Sequence, residues 1–172
     1  MKIRNGFVSN SSSSSFVVAF PKMPTSIEHV KQIMFGDDET FPNPYADISY
    51  GQSEPEYSTM KIAETVYDDI LAQKVNDKKN IIEAFDGWIE GSPNFEFDCD
   101  KKCTAEEREK KWNNYIKASK KFRNDTAKEF MKDNKDKFIY TFEYSDNDGD
   151  YFCTLEHGGI FDRLQHRQIN KH

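Results

Sequence analysis

Residues 137–144, KFIYTFEY, alternate apolar and polar side chains with a period of two, the pattern of a strand buried on one face. After SDNDG at 145–149, the run DYFCTLEH at 150–157 alternates again, so the two read as a β-hairpin turning around Asn147, Asp148 and Gly149. In that register Tyr144 faces Tyr151, Phe142 faces Cys153, Tyr140 faces Leu155 and Phe138 faces His157. The aromatic row then points to the core, with Thr141, Glu143 and Glu156 on the other face.

Working outward, Phe16–Phe20, FVVAF, is a short branched run stopped by Pro21, which reads as a buried strand that pairs with the hairpin. Between strand and hairpin the periodicity is helical. Thr25 and Glu28 form a capping-box pattern ahead of Ile27, Val30, Ile33 and Met34, and Gly36 closes that helix. Residues 37–57 carry Pro42, Pro44 and Pro55 and read as a long surface loop packed by Phe41, Tyr45 and Tyr50. Ser58 caps a second helix with Ala63, Val66, Tyr67, Ile70 and Leu71 on one face. Asp77 caps a third, with Ile81, Ile82, Phe85 and Ile89, and Gly91 and Pro93 end it. Residues 92–103 are irregular. Thr104 with Glu107 then opens a helix running to about Lys135, its buried face predicted from Trp112, Tyr115, Ile116, Ser119, Phe122, Thr126 and Phe130.

The fold class that follows is α+β: a small antiparallel sheet, made of the N-terminal strand and the C-terminal hairpin, packed against about four helices including one long amphipathic helix. A length of 172 residues fits a single domain over 1–172, with a polar N-terminal segment at 1–15 and a mobile tail at 165–172. The chain is 36% hydrophobic and has only three leucines, so its 14 Phe and 8 Tyr must supply much of the core. No apolar run approaches the roughly 20 residues of a membrane span, and MKIRNGFVSNSSSSS lacks the apolar stretch of a secretory signal. Three cysteines, Cys99, Cys103 and Cys153, are an odd number and read as reduced thiols. A membrane-free, intracellular protein is expected.

Charge is distributed unevenly. Residues 101–137 hold 13 basic and 7 acidic side chains, net +6, whereas the remainder of the chain carries net -12. On the long helix Lys110, Lys117, Lys121, Lys128, Lys132 and Lys135 fall on one side, opposite Trp112, and form a lysine ridge suited to an acidic protein or to phosphates. The plain alternative is a solvated face with weak spaced ion pairs. No base-reading motif accompanies the ridge, and the overall charge of -6 works against nucleic acid.

Cys153, His157, His166 and His172 crowd the C-terminal end, and thiolate with imidazole is a zinc-type donor set. Their spacings match no zinc frame, so the leading expectation is no cofactor, with zinc or another divalent metal as the alternative. Asp146, Asp148 and Asp150 fail the calcium-loop frame: counted from Asp146, glycine falls at position four and His157 occupies the bidentate acid position. The serine run, including Ser11, Ser12 and Ser13, has neither a nucleophile elbow nor the glycines and lysine of a phosphate loop. It reads as a polar lead-in to FVVAF or as a segment that is modified or read by a partner. No catalytic residues can be assigned.

Gly6 to Phe16, GFVSNSSSSSF, resembles the opening of a family of uncharacterised proteins of tailed bacteriophages and scattered bacterial genomes. The end, Ser145 to His172, is similar to theirs too, with SDNDG, then LEHGGIF, then a basic, histidine-bearing terminus. The two segments cover about a quarter of the chain, and Gln165 stands before His166 where the family often has proline. The resemblance implies a phage or phage-like origin, hence the cytoplasm of an infected host or a virion as location, and brings no catalytic residues. The expected function is an accessory protein that binds a host or virion macromolecule stoichiometrically. The rival expectation is a small metal-dependent hydrolase built on the C-terminal histidines.

Overall fold

The computed structural model describes residues 13–46, 54–93 and 104–171. In chain order its elements are β1 (Ser13–Phe20), α1 (Ile27–Phe35), β2 (Thr40–Pro42), β3 (Glu56–Ser58), α2 (Thr59–Leu71), α3 (Lys78–Ala84), α4 (Ala105–Asp133), β4 (Phe138–Ser145), a 3-10 turn (Asp146–Asp148), α5 (Asp150–His157) and β5 (Gln165–Asn170). The architecture is α+β. A three-stranded antiparallel sheet runs in the order β4-β1-β5, and β2 pairs with β3 in a separate two-stranded ribbon.

FVVAF is apolar at every position because β1 is the central strand and both its faces are covered. Phe16, Val18 and Phe20 point to one side, where they meet Tyr140, Phe142 and Tyr144 of β4 and the apolar stripes of α1 and α2. Val17 and Ala19 point to the other, against Ile139, Ile169, α3 and the C-terminal half of α4. The alternation expected of 137–144 is present: Phe16 pairs with Phe142 and Val18 with Tyr140, and Glu143 is exposed. The outer edge of β4 is sealed by side-chain amides. Gln73 Nε2 donates to the Thr141 carbonyl at 2.8 Å and its Oε1 accepts from Thr141 N–H at 2.9 Å, while Asn76 Oδ1 accepts from Ile139 N–H at 2.8 Å. These bonds occupy groups that would otherwise recruit another strand.

Three expectations are corrected. Residues 150–157 are helix α5, not the second arm of a hairpin. The turn that was to reverse the chain is instead a 3-10 turn ending at Gly149, whose φ of 105° redirects the backbone into the helix. Tyr151 and Leu155, four apart, then fall on one helical face against the core, and eight residues fit a period of two as readily as one of 3.6. The place beside β1 reserved for that arm is taken by β5, so residues 165–170 are a sheet strand where a mobile tail was expected. Its string QHRQIN conceals this, because only Ile169 is buried. Finally, Ser13 to Ser15 belong to β1 and not to the polar lead-in, and the Ser14 and Ser15 side chains are buried.

Smaller adjustments follow the same logic. Ser26, not Thr25, caps α1 by accepting from His29 N–H at 3.2 Å, and the Thr25 hydroxyl lies 3.0 Å from His29 Nδ1. The caps at Asp77 and at Thr104 with Glu107 form as expected, whereas Ser58 caps α2 without a side-chain bond. Within residues 37–57 the ribbon of β2 and β3 replaces part of the loop, and Tyr50 lies outside the described residues. Among the described residues no helix is long and apolar enough to cross a membrane.

Candidate functional site

The end of α5 meets the 3-10 turn and the start of β1 around a buried carboxylate. Glu156, 1% exposed, accepts from the Ser14 hydroxyl at 3.0 Å through Oε1 and from Asp146 N–H at 2.8 Å through Oε2. His157 Nε2 stands 3.5 Å from Glu156 Oε2, and the Tyr45 ring packs edge-on against the imidazole at a centroid distance of 5.9 Å. The hairpin register would have put Glu156 in solvent; the helix turns it inward beneath Ser14. Gln168 of β5 closes the ring, its Nε2 donating to Ser14 Oγ at 3.1 Å and to the Glu156 carbonyl at 3.3 Å.

Asp146, Glu156 and His157 each place a ligand atom within 4.8 Å of the others, a group that could hold a metal ion. Two carboxylates with one imidazole suit a divalent cation of intermediate hardness. This set differs from the one expected. His157 belongs to both, and Cys153 lies one turn before it on the same helix, but burial pushes the Cys153 thiol pKa up, as do the carboxylates of Asp146, Glu156 and Asp150. A thiol held in its neutral form is a poor ligand. Burial likewise raises Tyr45, with Cys153, Glu156 and Asp146 adding to the shift.

His166 sits on β5 opposite Val18, its Nδ1 3.0 Å from the Leu164 carbonyl and its Nε2 4.0 Å from Asp162. The structure therefore does not bring His166 to His157, and His172 lies outside the described residues. Sequence reasoning missed Asp146 as a partner, because it stands ten residues before Glu156 across a turn whose form it misread. Ser11 and Ser12 also lie outside the described residues; Ser13 is a strand residue whose carbonyl accepts from Lys171 N–H at 2.9 Å.

The second candidate is α4. Twenty-nine residues make a rod of about 44 Å. Its capping box holds the N-terminus, where Thr104 Oγ1 accepts from Glu107 N–H at 3.2 Å and Glu107 Oε2 accepts from Thr104 N–H at 2.9 Å. Of its core-directed residues, Ser119, Ala127 and Phe130 are buried. The face expected to be buried is not buried throughout: Trp112 is 47% exposed and Ile116 41%, because α3 and the sheet underlie only the C-terminal part of the helix. Trp88, 53% exposed, stands beside that stretch, and the rings of Trp112 and Tyr115 lie 5.6 Å apart. On the opposite side Lys110, Lys117, Lys121, Lys128 and Lys132 are exposed over about 33 Å, and Lys135 continues the ridge just past the helix. Among the described residues Lys121 is the ridge lysine held in an ion pair, with Asp125 at 2.5 Å.

Compared with known proteins, the chain matches no protein-family model, no curated protein and no solved structure.

Proposed function

We propose that this chain is an accessory binding protein that acts by stoichiometric occlusion of an acidic surface on a protein partner, engaging it through α4. The observation that carries this reading is the exposure of Trp112 and Ile116 on a helix that also presents a continuous lysine side. Trp112 and Ile116 are flanked on their own side of the helix by Arg108, Lys111 and Lys120, the composition of an interface centre in which a few apolar side chains supply most of the binding energy, while the lysine ridge on the opposite side adds to the field that steers the encounter. The resemblance of both termini to tailed-phage proteins supports a host or virion component as the partner. Phosphates of a nucleic acid would meet the same lysines, but the net charge of -6 disfavours that target.

The test is capture from infected-cell extract with the wild type and with Trp112→Glu, followed by reconstitution from the purified partner. A saturable complex of fixed stoichiometry, weakened by the substitution and by salt, is the expected result. Binding to no component across hosts and salt conditions contradicts it.

A second reading is favoured by the convergence of Asp146, Glu156 and His157: a divalent metal ion held there, serving a small hydrolase with imidazole and carboxylates as ligands. It predicts near-stoichiometric zinc or manganese in protein purified without a histidine tag and its loss in His157→Ala. Metal-free protein whose melting is unchanged by chelator removes this reading.

A further inference from the structure

Gly87, Trp88, Ser92, Tyr115, Ser119 and Arg123 line a hollow of about 220 Å³ where the turn after α3 faces α4. At its buried side is an oddity. Ser119 is only 6% exposed, and among the described residues its hydroxyl has no hydrogen-bond partner. Helical hydroxyls ordinarily bond the carbonyl one turn back, as Thr126 does to Phe122 at 2.9 Å. A buried hydroxyl without a partner is uncommon in a folded protein and points to something that completes it.

The surroundings define what fits. Trp88 and Tyr115 supply aromatic walls, and Arg123, held by Asp86 and by the Ser119 carbonyl, forms the partition to a second hollow of about 330 Å³ that includes Ile82, Ile116 and Lys120. The Ser119 oxygen is shielded from solvent in the free chain, so the occupant must offer a flat ring to the walls and a hydrogen-bonding head toward which the Ser119 hydroxyl turns. A phenol does both, since its oxygen donates or accepts. The basic surplus along α4, with Arg108, Lys111 and Lys120 on the same stretch, selects acidic neighbours for that ring.

We propose that this hollow is the anchor site for a tyrosine within an acidic segment of the protein partner. The inference rests on the partner-binding reading above and adds the residue that is recognised and the place that receives it. Neither Trp88 nor Ser119 belongs to the lysine ridge, so the two ideas fail separately.

The experiment is selection from a displayed library of random peptides on the immobilised full-length chain, with the winning peptide then synthesised and titrated. Enrichment of tyrosine flanked by Asp or Glu is expected, with binding abolished in Trp88→Ala. Ser119→Ala is the sharper variant. It should melt at or above the wild type, because it removes a buried hydroxyl that lacks a partner, yet bind the peptide about three- to tenfold more weakly, the worth of one hydrogen bond. Replacing the peptide tyrosine by phenylalanine should cost the same factor on the wild type and nothing on Ser119→Ala. Enrichment without tyrosine, no enrichment, or affinity indifferent to both Trp88→Ala and Ser119→Ala overturns the proposal. If peptide binding fails while the cell-derived complex persists and responds to ridge substitutions, the anchor site is wrong and the ridge reading stands.

Discussion

The Ser14 hydroxyl donates to Glu156 Oε1 at 3.0 Å across 142 residues of sequence, tying the first strand to the last helix inside the core. A carboxylate this deeply buried is tolerated because both oxygens accept hydrogen bonds, the second from Asp146 N–H. Removing the acceptor strands the Asp146 N–H and leaves the Ser14 hydroxyl only its longer bond to Asn170 Oδ1, at 3.2 Å. Glu156→Ala should therefore cost roughly 2–4 kcal/mol, and Ser14→Ala, which leaves the carboxylate in place with one donor fewer, about 1–2 kcal/mol. Urea unfolding with an unchanged slope is the check.

Gly87 is required for a different reason. A Cβ there would lie 2.6 Å from the Asn170 carbonyl oxygen and 2.6 Å from Ile169 Cγ2, closer than real side chains come. The turn is held against β5 by paired backbone bonds between Trp88 and Asn170, at 2.7 and 2.9 Å. Gly87→Ala should push the two apart and destabilise by about 1–3 kcal/mol, with Trp88 fluorescence reporting the displaced turn. A variant as stable as the wild type would show that the turn yields freely.

The β4 edge depends on Gln73, which gives and takes one backbone bond at Thr141. Gln73→Ala should cost about 1–2 kcal/mol and reopen an edge to strand pairing, so light scattering on mild heating should rise with protein concentration. Concentration-independent melting would mean that the edge is protected in another way.

Asp69 gives the pH dependence a sign. Burial raises its pKa, with a smaller opposing effect from the hydrogen bond donated by Tyr144 at 3.0 Å. A carboxyl that binds its proton more tightly when folded contributes stability below its unfolded pKa and loses that contribution as pH rises through the folded value. At neutral pH the ionised form is therefore slightly unfavourable. Asp69→Asn, which keeps an acceptor for Tyr144, should stabilise by less than about 1 kcal/mol at pH 7, with the gain vanishing in acid. An effect of opposite sign would mean that the charge is welcome there.

Much of this fold was legible because its signals are local. FVVAF reads as a buried strand from its length and branching, KFIYTFEY alternates cleanly, and the Thr104 and Glu107 cap marks the start of α4 to the residue. What failed depends on tertiary context. DYFCTLEH carries both periods, and only Gly149 and the competition for the edge of β1 decide between them. QHRQIN forms a strand through backbone pairing while offering one buried apolar side chain, so no hydrophobic pattern announces it. The same misreading concealed the candidate site, since Glu156 meets Asp146 and Ser14 only once 150–157 is helical. Trp112 shows the reverse case: its spacing placed it correctly on the core-directed face, but periodicity cannot say how far the core beneath that face extends.

The most direct test of the binding reading is the salt-dependent affinity of the purified complex for three forms of the chain: wild type, Trp112→Glu, and the triple variant of Lys117, Lys121 and Lys128 to Glu. All three forms should melt close together, because the Lys121–Asp125 pair that is lost lies at the surface and Trp112 is about half exposed, and both variants should lose affinity by about tenfold or more, with the triple variant also showing a flatter salt dependence. A complex equally tight in all three forms would show that α4 is a solvated face and that the partner is held elsewhere.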